Sequence, residues 1–133
     1  MLRYMLDTNI CIYAMKKDPR LLISKFSEYR SEICVSSGVV GELLYGVEKS
    51  QQRSSNMTRF EHFISLLDVL DFDAGAAGHF ANIRATLAKQ GTPIGAYDVM
   101  IAGHARSLGL ILVTHNTCEF SRVDGLRLED WMC

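Results

Sequence analysis

Residues 110–113, Leu-Ile-Leu-Val, are apolar at every position. A strand with one wet face alternates apolar and polar side chains, whereas an unbroken apolar run fits a strand covered on both faces. Covering both faces requires helices packed above and below, so the chain is constrained to an α/β plan with a mostly parallel sheet. The rest of the sequence keeps to that plan, alternating strand-like and helix-like segments.

The pattern predicts a first strand over residues 2–6 and a short helix over 10–15 capped from Asp7-Thr8-Asn9. A helix over 20–29, a strand over 33–35 and a helix over 39–49 capped by Ser36-Ser37 come next. Residues 50–56 are polar and read as a loop, followed by a helix over 57–67 with Phe60, Phe63, Ile64 and Leu67 as its apolar stripe. A strand over 69–72 precedes a long helix, capped by Asp73, that runs to Gln90 and ends at Gly91 in a left-handed C-cap. A rigid loop over 92–95 leads into a helix over 97–108, and a last strand over 126–128 closes the chain before Trp131. With 133 residues, 48% of them apolar, and no linker, the chain is expected to form one domain over residues 1–133.

Cys11, Cys34, Cys118 and Cys133 show no paired spacing, and the first three lie in or beside apolar segments. They read as core thiols in a reducing cytosol. Asp7 interrupts the opening apolar run, so no signal peptide is expected, and no apolar stretch is long enough to cross a bilayer. The expectation is a cytoplasmic protein. The net charge of -1 carries no general signature of nucleic-acid binding. An RNA substrate therefore requires a local basic patch or a bound cation at the phosphates.

In an open parallel sheet the functional crevice lies beyond the carboxyl ends of the strands. Asp7 follows the first strand directly. Asp98 shares a helical stripe with Ile101, Ala105 and Leu108. An ionised carboxylate there suffers a desolvation penalty of several kcal/mol, of which the helix N-terminus offsets only about 0.3–1 kcal/mol. Glu42 flanks the stripe formed by Val39, Val40, Leu43 and Val47. Gly41 and Gly46 in the same helix cost about 1 kcal/mol each relative to alanine, which points to close backbone approach or to room for a ligand. Glu119 and Asn116 follow the buried strand, with Thr114 at its end. Carboxylates gathered at one crevice raise one another's pKa unless cations intervene, and hard oxygen donors favour Mg²⁺ or Mn²⁺. Two such ions, about 4 Å apart, would support phosphodiester cleavage by an activated water. The histidines show no zinc spacing. His62, His79 and His104 read as structural or exposed, and His115 lies near the crevice, within reach of a substrate.

Several blocks carry a family pattern: Met5-Leu6-Asp7-Thr8-Asn9; Ser36-Ser37 followed by Glu42-Leu43-Leu44-Tyr45-Gly46; Gly91-Thr92-Pro93-Ile94-Gly95 with Tyr97-Asp98; Ile101-Ala102-Gly103-His104-Ala105; and Val113-Thr114-His115-Asn116 with Glu119-Phe120. In this order they resemble the PIN-domain family, and more closely the VapC ribonuclease toxins of bacterial type II toxin–antitoxin modules. The resemblance implies a three-layer α/β/α sandwich and a Mg²⁺-dependent endoribonuclease, with Mn²⁺ as the alternative ion. By position Asp7 and Asp98 match the metal-binding acids and Glu42 the third acid, with Asn9, Thr114 and Asn116 as supporting polar groups. Many PIN domains have an aspartate where Asn116 stands, so Glu119 would have to replace it. The implied substrate is initiator tRNA, cut in the anticodon stem-loop. The implied partners are a second copy of the chain and a VapB antitoxin whose C-terminal segment enters the active site. The helix holding Phe60 and Phe63, with the one before it, would form that partner surface. Ala96 departs from the proline common in relatives and should loosen the loop before Asp98 slightly.

Two rivals compete. A phospho-accepting receiver domain also places an aspartate after strand one and a threonine after a late strand, but needs a second acid beside the first and a lysine after the last strand. Here Leu6 and Thr8 flank Asp7, and no lysine follows Leu128. The same fold could instead bind RNA or protein without cleaving; the three retained acids argue against that.

Overall fold

Every residue of β1 (Tyr4–Leu6), β2 (Ile33–Ser36) and β4 (Ile111–Val113) is buried. Successive strand residues point to opposite faces, so these three strands are covered on both sides. The computed structural model, which describes residues 1–16 and 20–132, joins them with β3 (Asp68–Leu70) and β5 (Leu128–Glu129) in one sheet. The order is β3-β2-β1-β4-β5, and each neighbouring pair is parallel. The chain winds from β1 outward to β3, then crosses to β4 and winds the other way. The switch point lies between β1 and β4, where a crevice is expected beyond the strand ends. A receiver-type sheet has the order 2-1-3-4-5, so the strand order removes that rival.

The helices are α1 (Thr8–Met15), α2 (Arg20–Glu28), α3 (Ser37–Glu48), α4 (Arg53–Ile64), α5 (Ala74–Lys89), α6 (Ala96–Ser107) and the single-turn α7 (Thr117–Phe120). Three begin on a side-chain cap: Asp7 accepts from the Ile10 amide, Ser36 from Gly38 and Asp73 from Ala76. Two end in Schellman closures. Thr92 and Gly91 amides bond Leu87 and Ala88 carbonyls, and Leu110 and Gly109 amides bond Ala105 and Arg106 carbonyls. Gly91 and Gly109 hold φ of 71° and 67°, which glycine adopts without a Cβ clash. Among the described residues no helix is long and apolar enough to cross a membrane.

The structure corrects several expectations. The segment over 50–56 is not all loop, because α4 starts at Arg53. Its first turn is polar and exposed, so no apolar stripe marks it. It is held by Arg53 on Glu48 at 2.6 Å and by Asn56 donating to Ser50 at 3.0 Å. Phe60 and Phe63 are core residues, not an open partner surface. β5 lies two residues later than its apolar residues suggest, and α7 is too short to show a period. Leu108 is exposed as the C-cap of α6 and so leaves the buried stripe. Cys11 and Cys34 are buried, and burial pushes the Cys34 thiol up to about 12, but Cys118 is exposed. Cys133 lies outside the described residues.

One close backbone contact between helices is not revealed by periodicity. A Cβ on Gly103 would lie 2.7 Å from the Phe80 backbone nitrogen and 2.9 Å from its Cα, so α6 can approach α5 only without a side chain there. Arg106 adds polar bonds across the same interface, to His79 Nδ1 at 2.9 Å and Asn82 at 2.8 Å. Gly103→Ala should therefore cost about 1–3 kcal/mol by forcing the backbones apart. Gly78→Ala, where a Cβ meets open space at an exposed position of α5, should gain about 0.5–1 kcal/mol. Urea unfolding of both variants tests the pair, and equal shifts would contradict the packing assignment.

Candidate active site

Asp7 sits where β1 passes into α1, at the switch point, and its own amide bonds the Val113 carbonyl of β4. The residue is 4% exposed. One oxygen accepts from the Ile10 amide at 2.9 Å. The Thr114 hydroxyl is a second donor to the carboxylate. Thr114 Oγ1 already accepts from the Asn116 amide at 2.9 Å, which leaves its hydrogen for Asp7. Asp7 is thus both a helix cap and a buried acid at the crevice.

The other acids arrive from different elements. Glu42 projects from α3 and accepts from Thr8 Oγ1 at 2.9 Å, so the residue after Asp7 holds the second acid. Asp98 occupies the first turn of α6 and is half-buried, not fully buried in the sheet interface. It has no hydrogen-bond donor among the described residues, so it is not an aspartate satisfied by the amides before it. Glu119, on α7, accepts from Asn116 Nδ2 at 3.0 Å. Asn9 is exposed on the first turn of α1 and is not drawn into these bonds. Gly41 and Gly46 mark no close backbone approach, since a Cβ at either meets open space. Gly46 does line a cavity of about 270 Å³ beside Glu42.

These acids act on one another's charge. Burial raises the pKa of Asp7, with the Glu42 charge adding to it and the bonds from Thr114 and Ile10 opposing. Burial raises Glu42, and Asp98 raises it further, against the Thr8 bond. Burial raises Asp98, and Glu119 and Asp7 add to that. Among the described residues no lysine or arginine contributes to keeping these three ionised, and His115 is the one basic group weighing on Asp7. All donors are oxygens, which suits a hard divalent cation. No three acid, histidine or cysteine side chains among the described residues close into a cage for a bare ion. Mg²⁺ keeps several waters and needs only one or two carboxylates, so the open arrangement fits a hydrated ion.

Sequence reasoning missed two contributors. Thr8, which read as a cap residue, positions Glu42. Asp130 bonds His115 at 3.0 Å across the β4 and β5 ends, and no spacing signal connects residues 15 apart. Of the other histidines, His62 is exposed, His79 serves Arg106, and His104 is buried on Ser36 at 2.8 Å.

A pH signature follows. Carboxyls raised in the folded state bind more protons than in the unfolded state, between the ordinary carboxylate range and their raised values. Stability therefore falls as pH rises through that window. His104, lowered by burial, contributes with the opposite sign but equally in parent and variant. Without divalent ions, Asp98→Asn should melt higher than the parent at about pH 7.5 and converge with it below about pH 4. Asp7→Ala should gain less, because it also removes a cap worth about 1 kcal/mol. Calorimetry in EDTA checks both, and a parent that out-melts Asp98→Asn at neutral pH would contradict the assigned repulsion.

The PIN domain family model matches residues 4–126. Similar proteins include the tRNA(fMet)-specific endonuclease VapC of Shigella flexneri, 55% identical and covering 98% of this chain and 99% of that one. Ribonuclease VapC2 of Haemophilus influenzae is 51% identical, covering 99% and 100%. Among solved structures, DNA-bound VapBC from Salmonella typhimurium holds a chain with TM-score 0.96 at 51% identity, covering 98% and 99%. VapBC2 from Rickettsia felis, bound to a promoter fragment, gives 0.93 at 38%, also covering 98% and 99%. The chain belongs to the PIN domain family and, within it, to the VapC-type ribonucleases.

Proposed function

We propose that this chain is a Mg²⁺-dependent endoribonuclease that cuts initiator tRNA in the anticodon stem-loop and is held inactive by a VapB-type antitoxin. The observation that carries the reading is the set of acids at the strand ends, costly to keep ionised together without a cation. The names of relatives 51–55% identical support the substrate. Asp7 and Asp98 would hold the ion, with Glu42 and Glu119 completing the acidic rim. In place, a divalent ion supplies charge stabilisation for the phosphate and lowers the pKa of a bound water. The protein's part is to hold acceptors in fixed directions. Ile10 and Thr114 orient Asp7, Thr8 orients Glu42, and Asn116 orients Glu119. Glu119 stands in for the aspartate that many relatives have at position 116.

Cleavage of purified initiator tRNA should require Mg²⁺ and stop in EDTA. Asp98→Asn should lower the rate at least about 100-fold, the scale of a group acting directly in the reaction. Glu119→Gln should cost less. Full activity of Asp98→Asn, or in EDTA, would overturn the metal reading.

The antitoxin segment is assigned to the cavity between α1, α3 and α4, whose lining includes Ile12, Met15, Leu43 and Val47, with Glu42 on the same wall. This keeps the expected pair of helices but moves the surface from Phe60 and Phe63 to the groove between them and α1. Gly46→Leu fills that groove without a backbone clash and without adding a charge beside Glu42. It should weaken antitoxin binding by about 2 kcal/mol or more, roughly thirtyfold, while leaving cleavage intact. Unchanged inhibition in a titration would place the partner elsewhere. As a further part of the proposal, the chain acts as a homodimer in the cytoplasm.

A further inference from the structure

Hydrolysis of a phosphodiester by water does not use the ribose 2′-hydroxyl, so a nuclease of this design needs a separate group to tell RNA from DNA. Near the acids, most polar side chains are committed. Thr8 donates to Glu42, Thr114 is buried between Asp7 and the Asn116 amide, and Asn116 donates to Glu119. His115 is different. It leaves β4 directly after Thr114, its side chain is 53% exposed, and its charge acts on Asp7.

Asp130 fixes what that ring can do. Asp130 Oδ2 lies 3.0 Å from His115 Nδ1, and Oδ1 accepts from the Met132 amide at 2.8 Å. The flanking residues are anchored. The Glu129 carbonyl accepts the Thr114 amide at 3.0 Å, the Glu129 carboxylate accepts the Trp131 indole, and Trp131 is buried among Tyr4, Tyr29 and Phe26. An ionised carboxylate only accepts, so Nδ1 carries the hydrogen, and in the neutral ring Nε2 presents a lone pair. That leaves an oriented acceptor at the rim of the acidic site, the group a ribose hydroxyl needs.

We propose that His115, held by Asp130, is a substrate-contacting residue whose Nε2 accepts a hydrogen bond from a ribose 2′-hydroxyl beside the scissile phosphate, and so contributes to the choice of RNA over DNA. The inference rests on the endoribonuclease reading. Asp130 acts through His115 and is a positioning residue.

The test is a double-mutant cycle between enzyme and substrate. The substrates are an all-ribose anticodon stem-loop and the same oligonucleotide with single 2′-deoxy substitutions on either side of the cut, assayed with Mg²⁺. One deoxy position should slow the wild-type enzyme about 5- to 10-fold, the scale of one neutral hydrogen bond. His115→Ala should slow the all-ribose substrate by a similar factor and be indifferent to that deoxy substitution. Asp130→Asn, which can present either a donor or an acceptor to Nδ1, should keep part of the discrimination, and melting curves confirm folding. The proposal is overturned if no deoxy position slows the wild type. It is also overturned if His115→Ala keeps full activity, or slows ribose and deoxy substrates equally as a plain phosphate contact would. A wild-type enzyme that cleaves no RNA is a separate result: it removes the nuclease reading, and this proposal with it.

Discussion

Asp7 sits in a place that disfavours charge and is held by bonds that favour it. Burial and the neighbouring Glu42 push its proton on, while the Ile10 amide and the Thr114 hydroxyl pull it off. Neither side can be relaxed without altering the fold. The Ile10 bond begins α1, and Thr114 directly follows the strand that pairs with β1. The acid is therefore built into the joint between β1, β4 and α1, and its unfavourable electrostatics persist because the joint is over-determined. Acids perturbed in this way and held in place by surrounding structure cluster at functional sites.

The sheet order turns that local conflict into a cluster. With β1 central and the winding direction reversing between β1 and β4, the segments after both strands open on the same crevice. Asp7 comes from one side, and Asn116 and Glu119 from the other. Glu42 arrives on the helix that follows β2, the other neighbour of β1. Asp98 arrives at the start of α6, whose close packing on α5 depends on the absence of a side chain at Gly103. No two of these acids lie within twenty residues of each other, yet their charges register on one another.

Much of this was legible in the sequence, for reasons that differ by residue. An unbroken apolar run announced β4, and caps announced α1, α3 and α5, because both signals are local. The acids were legible because each stands next to a strand end or in a helix near apolar neighbours, where an unpaired carboxylate is conspicuous. The first turn of α4 was not legible, since polar residues there make their bonds to one another and to Glu48 instead of to the core. Asp98 was expected to be more deeply buried than it is, because helical periodicity treats the first turn like the middle. The Thr8–Glu42 and His115–Asp130 bonds join residues 34 and 15 apart, and such pairings become visible only once the strands are in register.

The position of Glu42 links catalysis to control under the proposed function. The residue belongs to the acidic cluster through Asp98 and Asp7, and to the wall of the α1–α3–α4 cavity through α3. That cavity also contains Lys16 and Arg59, so its mouth offers both signs of charge around an apolar floor. An apolar segment seated there comes to rest against Glu42, and a basic group carried on it would neutralise the same repulsion that a divalent cation relieves. Inhibitor and cation then meet a single electrostatic demand from two directions, and each lowers the benefit of binding the other. Occupying the groove thus bears on the chemistry without a change of fold, through the charge balance of acids that this architecture holds close together.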